Sequence, residues 1–294
     1  MNKRARLIYN PTSGREEMKR RLADILQRLD QGGIETSVHA TTEEGDATKE
    51  AADAVGRGYD LIIAAGGDGT LNEVVNGMAE KDNLPPLGLF PLGTTNDFAR
   101  GLGISKNWEE YCDVIIRQET RPIDIGKAND RYFINIAGGG TLTELTYDVP
   151  SKLKTLIGQL AYYLKGIEKM VSLSPQELII KANGQERIHD EFMLFLIANT
   201  NSVGGFEKLA PSATIDDGLF DVIALKNCNL PEFVRVVRLA LRGGHLNDKN
   251  VIHFQTDHIE VSSPGNVLLN LDGELGGSLP ATFDVLKQHM RIFA

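Results

Sequence analysis

The sequence predicts an α/β domain followed by a mostly β domain. From residue 4 to 125 short apolar runs alternate with helical patterns, and after Pro122 closely spaced strand segments take over. A third observation is a glycine-rich turn, Ala65-Gly-Gly-Asp-Gly-Thr70, set between an apolar strand and a helix. It places an anion site in the first domain.

Arg6 to Tyr9 predicts the first strand, and Glu16 to Leu29 a helix with Met18, Leu22, Ile25, Leu26 and Leu29 on one face. Thr36 to His39 reads as extended, Ala47 to Val55 as helical and Asp60 to Ala65 as a buried strand. Leu71 to Met78 is helical and Leu87 to Pro91 is a strand. Strand and helix in this rhythm imply a parallel sheet with helices on its faces. Beyond Pro122 the strand segments are Tyr132 to Ala137, Glu177 to Ala182, Phe192 to Asn199, Phe220 to Leu225, Ile259 to Ser262 and Val267 to Leu271. Helices at Lys152 to Val171 and Pro231 to Arg242 interrupt them.

At 294 residues two closely joined domains are expected. A hydrophobic share of 41% suffices for a core without disulfides or a structural metal. Cys112 and Cys228 lack zinc-ligand spacing and read as reduced thiols, which points to a cytosolic home. The N-terminus has no signal-peptide core, and the most apolar run, Phe192 to Ala198, is strand-sized, so membrane contact is expected to be peripheral. A net charge of −9 argues against a nucleic-acid-coating protein.

Packed glycines in the Gly66-Gly67-Asp68-Gly69 turn let backbone amides approach a phosphate, and the following helix adds its unsatisfied N–H groups and positive dipole end. Neither GxxxxGK[ST] nor GxGxxG is present. Two further loops, Asn10-Pro-Thr-Ser-Gly14 and Pro91-Leu-Gly-Thr-Thr-Asn-Asp97, follow the first and fourth strands. The strands of a parallel sheet end on one edge, so all three loops would line one cleft.

Asp68 lies inside the phosphate loop, where it serves either a Mg²⁺ or acceptor proton beside phosphate, or a helix cap. Leu271-Asp-Gly-Glu274 is a hairpin turn or a pair of functional acids, and Thr214-Ile-Asp-Asp-Gly-Leu219 a solvated turn or an oxygen-rich cation site. Arg100 meets phosphate or makes a surface ion pair. Lys154, Lys165 and Lys169 form a stripe that is either solvated or a membrane dock.

These motifs, NPTSG, GGDGTLNE, PLGTTNDFAR, DDGLFD and LDGE, run in order from Asn10 to Glu274 and resemble the diacylglycerol kinase catalytic family, the bacterial soluble enzymes above all. The resemblance implies a three-layer α/β nucleotide domain over 1–122 and about 284–294, and a β-sandwich over 123–283. It implies ATP contacts at Asn10, Pro11, Thr12, Ser13 and Gly14, at Thr41, along Gly67, Asp68, Gly69, Thr70, Leu71, Asn72 and Glu73, and at Thr94. It makes Glu274 the base taking a lipid hydroxyl proton, with Asp68 as its rival and Asp272 holding water, metal or Glu274 in place. It further suggests a structural Mg²⁺ on Asp217 and backbone oxygens of Thr214 and Leu219, and a homodimer, while the place of Asp124 at the domain junction makes it a candidate for the acidic network. The expected reaction is phosphorylation of diacylglycerol to phosphatidic acid at the inner face of the membrane. The rivals are a sphingoid-base or NAD kinase, a dinucleotide-binding oxidoreductase and an inactive lipid-binding regulator.

Overall fold

The computed structural model describes residues 2–140, 175–201 and 208–294. The helix expected over 152–171, with Lys154, Lys165 and Lys169, lies outside them. The described chain divides into two compact units, Met1–Ile125 with Lys287–Ala294, and Gly126–Leu286.

In the first unit β1 (Lys3–Tyr9), β2 (Ile34–Ala40), β3 (Leu61–Gly66) and β4 (Leu87–Pro91) run parallel in the order β4-β3-β1-β2. All six residues of β3 are buried. Successive side chains of a strand point to opposite faces, so both faces of the sheet are covered there. The cover comes from helices at the expected places: α1 (Glu17–Gln31), α2 (Asp46–Gly56) and α3 (Asp68–Met78). Of the α1 stripe, Met18, Ile25 and Leu29 are buried. α3 begins at Asp68, three residues before the expected start, so the phosphate loop is in part the first turn of a helix. Two further short helices are α4 (Asp97–Gly101) and α5 (Trp108–Ile116), the second burying Tyr111, Cys112 and Ile115 at helical spacing. The second is capped by Asn107, whose Oδ1 accepts from Glu109 N at 2.9 Å.

The chain leaves this unit along β5 (Thr120–Ala128). The second unit is antiparallel, a β-sandwich. After β5 come β6 (Arg131–Phe133), β7 (Ile136–Gly139), β8 (Gln176–Ala182), β9 (Gln185–Ala198), β10 (Phe220–Lys226), β11 (Val251–Thr256), β12 (His258–Ser262), β13 (Leu268–Leu271), β14 (Glu274–Ser278) and β15 (Ala281–Phe293). Where the sequence predicts one strand over 132–137 there are two, because Ile134 and Asn135 turn their amides to a side chain instead of a ladder. Phe133, Phe195, Phe220 and Phe283 are fully buried in its core, with the Phe133 and Phe220 rings stacked at 5.4 Å. Gly126 faces the Phe133 ring so closely that any Cβ would strike it. α6 (Leu230–Ala240) opens on a capping box between Asn229 and Glu232 and buries Phe233, Val236 and Ala240.

β15 carries the chain back to the first unit, where Ile292 pairs in parallel with Leu87. The buried Tyr111 hydroxyl accepts from Leu89 N and donates to the carbonyl of Phe293, each at 2.9 Å. Burial pushes its pKa far up, so it stays a neutral donor. Tyr111→Phe would leave a buried N–H and a buried C=O without this partner. It is expected to cost about 1–3 kcal/mol, read as a lower urea midpoint with an unchanged slope.

Candidate active site

The carboxyl ends of the parallel strands fall in register: Tyr9 lies beside Ala40 and Ala65, and Gly66 beside Pro91. The loops that follow therefore meet at one edge. The order also reverses there, since β2 lies on one side of β1 and β3 on the other, which is where open α/β sheets leave a crevice for ligands.

Backbone contacts lock the loops together. Asn10 N donates to Ala65 O at 3.0 Å, Leu92 N to Gly66 O at 2.8 Å and Thr41 N to Tyr9 O at 2.9 Å. Within the first loop the Asn10 side chain accepts from Thr12 N and Thr12 Oγ1, an Asx turn at the strand end. Gly14 has φ +58 and packs on the third loop: a Cβ there would sit 2.6 Å from Leu92 O. A Cβ on Gly93 would sit 2.7 Å from the Gly67 Cα, so the second and third loops also touch. Asn96, buried and left-handed at φ 48, holds that third loop shut. Its Oδ1 accepts from Gly93 N at 2.8 Å and its Nδ2 donates to Gly93 O at 2.7 Å.

Asp68 does not cap its own helix. Its carboxylate receives the backbone N–H groups of Asp97 and Phe98 at the start of α4, and Thr95 Oγ1 at 3.4 Å. Burial raises its pKa most and repulsion from Asp97 raises it further, against the lowering by those donors. Arg100 makes its bonds within the turn, to Thr95 O at 2.6 Å and Asp97 Oδ1 at 3.1 Å. Thr12 and Thr94 are exposed at this edge, whereas the Leu71 side chain is buried and its backbone N–H donates to Gly67 O at 3.1 Å.

Glu73 is engaged elsewhere. Its Oε2 accepts from Gly45 N and Ala47 N, both at 3.1 Å, and so caps α2. Thr48 Oγ1 donates to the Glu73 carbonyl at 3.0 Å, which fastens α2 to α3 a second time. A carboxylate at a helix N-terminus meets both orphan donors and the positive dipole end.

In the second unit Asp272 and Gly273 form the two-residue turn of the β13–β14 hairpin, both at positive φ, with Leu271 paired to Glu274. The Asp272 carboxylate accepts three consecutive backbone amides: Ile134 N at 2.7 Å, Asn135 N at 2.8 Å and Ile136 N at 2.9 Å. Glu274 stands exposed on the next strand. In the Thr214–Leu219 turn, Asp217 Oδ2 accepts from Thr214 Oγ1 at 2.6 Å and Oδ1 from Leu219 N at 2.9 Å. Ser212 ties the start of this turn to buried Asp221, which also binds His253 and Gln255. Burial opposes ionisation of Asp221, but these three hydrogen bonds outweigh it and hold its carboxyl below the usual range. Asp124, fully buried in the first unit, accepts from Gln288 N at 2.6 Å. Among the described residues no group of three or more His, Cys, Asp or Glu is gathered as for a metal.

Residues 4–128 match the diacylglycerol kinase catalytic domain, and residues 145–294 the YegS C-terminal NAD kinase beta sandwich-like domain. A diacylglycerol kinase of Bacillus subtilis (strain 168) is 58% identical over 291 residues, covering 99% of this chain and 96% of its own length. The chain belongs to the diacylglycerol kinase family. A diacylglycerol kinase of Staphylococcus aureus (strain MRSA252) is 50% identical over 294 residues, covering 100% of this chain and 93% of the relative. A crystal structure of a diacylglycerol kinase from Bacillus anthracis str. Sterne superposes with a TM-score of 0.83 at 29% identity, over 99% of this chain and 96% of that one.

This lipid kinase thus brings the three expected loops and Thr41 to one edge of its first unit, and carries the expected acids of the second unit on two turns. Sequence reasoning missed Asn96 and Asp97 as the residues that shape the third loop. An Asn-Asp pair before apolar Phe98 is a readable helix start.

The raised pKa of Asp68 sets a pH dependence. The folded kinase holds this proton more tightly than the unfolded chain, so the contribution is full below the ordinary carboxylate pKa and is lost as pH rises through the raised value. Asp68→Asn should therefore lose this dependence, its Tm falling less than that of the wild type as pH rises from about 3 to about 7, as thermal melts across that range would show.

Proposed function

We propose that this kinase transfers the γ-phosphoryl group of ATP to the free hydroxyl of a diacylglycerol at a membrane surface, giving phosphatidic acid. The observation that carries the reading is the meeting of the three loops at one sheet edge, where glycine backbone and exposed Thr12 and Thr94 present donors to a polyphosphate. The family supports a lipid acceptor, and among the described residues no helix is long and apolar enough to cross a membrane.

Phosphoryl transfer asks for alignment and charge neutralisation more than covalent chemistry. Backbone amides of Gly67 and Gly69 would face the phosphates while the α3 dipole favours their charge. Asp68 lies inside the phosphate loop, where a carboxylate beside a polyphosphate would be repelled unless a cation lay between, so we assign to it the Mg²⁺ accompanying ATP. The Asp217 turn offers only oxygen donors, its carboxylate and the carbonyls of Thr214 and Leu219, which suits a hard cation in a structural role. Bound Mg²⁺ supplies charge neutralisation. Glu274 takes the proton of the lipid hydroxyl late, after much of the leaving bond has broken, because a carboxylate is a weak base towards an alcohol. Both oxygens of Asp272 are occupied by backbone amides, which supports a role in holding Glu274 in place.

The test is transfer of labelled γ-phosphate from ATP and Mg²⁺ into mixed micelles of diacylglycerol, sphingosine or monoacylglycerol, with NAD offered separately. Phosphatidic acid is the expected main product, and Glu274→Gln should lower kcat by about 10²-fold or more with ATP binding kept. Label on sphingosine or NAD alone would overturn the acceptor. For the second cation, Mg²⁺ should raise the Tm of the wild type more than that of Asp217→Ala, and equal shifts would remove the Asp217 site.

A further inference from the structure

We propose that Asn199 is a positioning residue for phosphoryl transfer, acting through Asp272 on Glu274; this rests on the reading of Glu274 as proton acceptor. Asn199 follows β9 directly and is fully buried. Its Nδ2 donates to Ile134 O at 2.8 Å, and its backbone N–H donates to Asn135 O at 2.8 Å. Ile134 and Asn135 are the two residues that separate β6 from β7. The amides of that same stretch, with Ile136, are the three that clasp Asp272.

One short peptide is thus gripped on its carbonyls by Asn199 and on its amides by Asp272. Thr200 adds a third hold, its Oγ1 donating to Asn135 Oδ1 at 3.1 Å, and both of these side chains are buried. The grip passes to the hairpin because Asp272 is itself the first turn residue. It sits at φ 52, its own N–H donates to Ile136 O at 2.9 Å, and Gly273 N is tied to Asn270 Oδ1 at 2.8 Å.

Glu274 comes two residues after Asp272 and pairs with Leu271, so its backbone moves only if this set of bonds gives way. Bonds to a carboxylate are among the stronger hydrogen bonds in a protein, and all three here end on consecutive amides of one segment. If that segment loses its carbonyl anchor, the three amides no longer converge and the turn gains freedom. A proton acceptor displaced by about 1 Å loses on the order of 10²-fold in rate. Burying an amide side chain without full bonding is costly, so a residue kept here only for packing would be apolar.

The test is a double-mutant cycle of Asn199→Ser and Glu274→Gln, assayed in diacylglycerol micelles with ATP varied. Asn199→Ser removes the donor to Ile134. It is expected to lower kcat about tenfold or more with KM for ATP changed less than about twofold, and to add less than about threefold loss in the Glu274→Gln background. Equal losses in both backgrounds, or a raised KM for ATP with kcat kept, would overturn the proposal. Full activity of Glu274→Gln alone would overturn the proton-acceptor reading and the proposal with it, and that single variant shows which of the two has failed. If Asn199→Ser does not fold, Thr200→Val removes the hydroxyl that bonds Asn135 and carries the same cycle, with an expected loss of about threefold in kcat that vanishes beside Glu274→Gln.

Discussion

The first unit depends on the parallel ladder between β1 and β3. Ala5 to Tyr9 lies alongside Leu61 to Ala65 in unbroken register, so the two chains reach the sheet edge together and release their loops side by side. Everything at that edge follows. Asn10 bonds back to Ala65, Leu92 to Gly66 and Thr41 to Tyr9, each closing a loop onto the strand end that precedes another loop. A one-residue slip of β1 against β3 would break the Asn10–Ala65 tie and put the first loop out of step with the second.

A second theme is how carboxylates are used. Glu73 caps α2, Asp68 caps α4, Asp217 closes its own turn and Asp272 gathers three amides. Each lies within or beside a motif of the family, yet each has backbone donors as partners. Acids in such motifs shape the peptide as well as meeting ligands, and a variant lacking one will mix conformational with chemical loss. Glu73 is the clearest case, since the two amides it holds belong to α2.

Much of this was legible in the sequence because the signals are local. Apolar runs ending in Asn10-Pro, Gly66-Gly and Pro91-Leu-Gly announce strands that stop at polar turns, and Asp272-Gly273 announces a two-residue hairpin turn. Signals that join distant positions were not legible. Asn199 meets Ile134 across 65 positions and Glu73 meets Gly45 across 28, and nothing in the neighbours of either residue marks the partner. The residue pattern alone did not mark β15, and it was the family resemblance that implied a closing segment in the first domain: Lys287, Gln288 and His289 break its alternation, although Ala281, Phe283, Met290, Ile292 and Phe293 are buried on either side.

The return of β15 bears on synthesis. Domains emerging from a ribosome generally fold in order from the N-terminus. Here residues 1–125 are complete early, but β4 waits for Ile292 and the Tyr111 hydroxyl waits for the carbonyl of Phe293. Throughout translation the nascent sheet carries an open edge, the kind of surface on which chains pair wrongly or chaperones bind. The unit begun first is completed by residues 287–294, so their loss would leave it in that unfinished state.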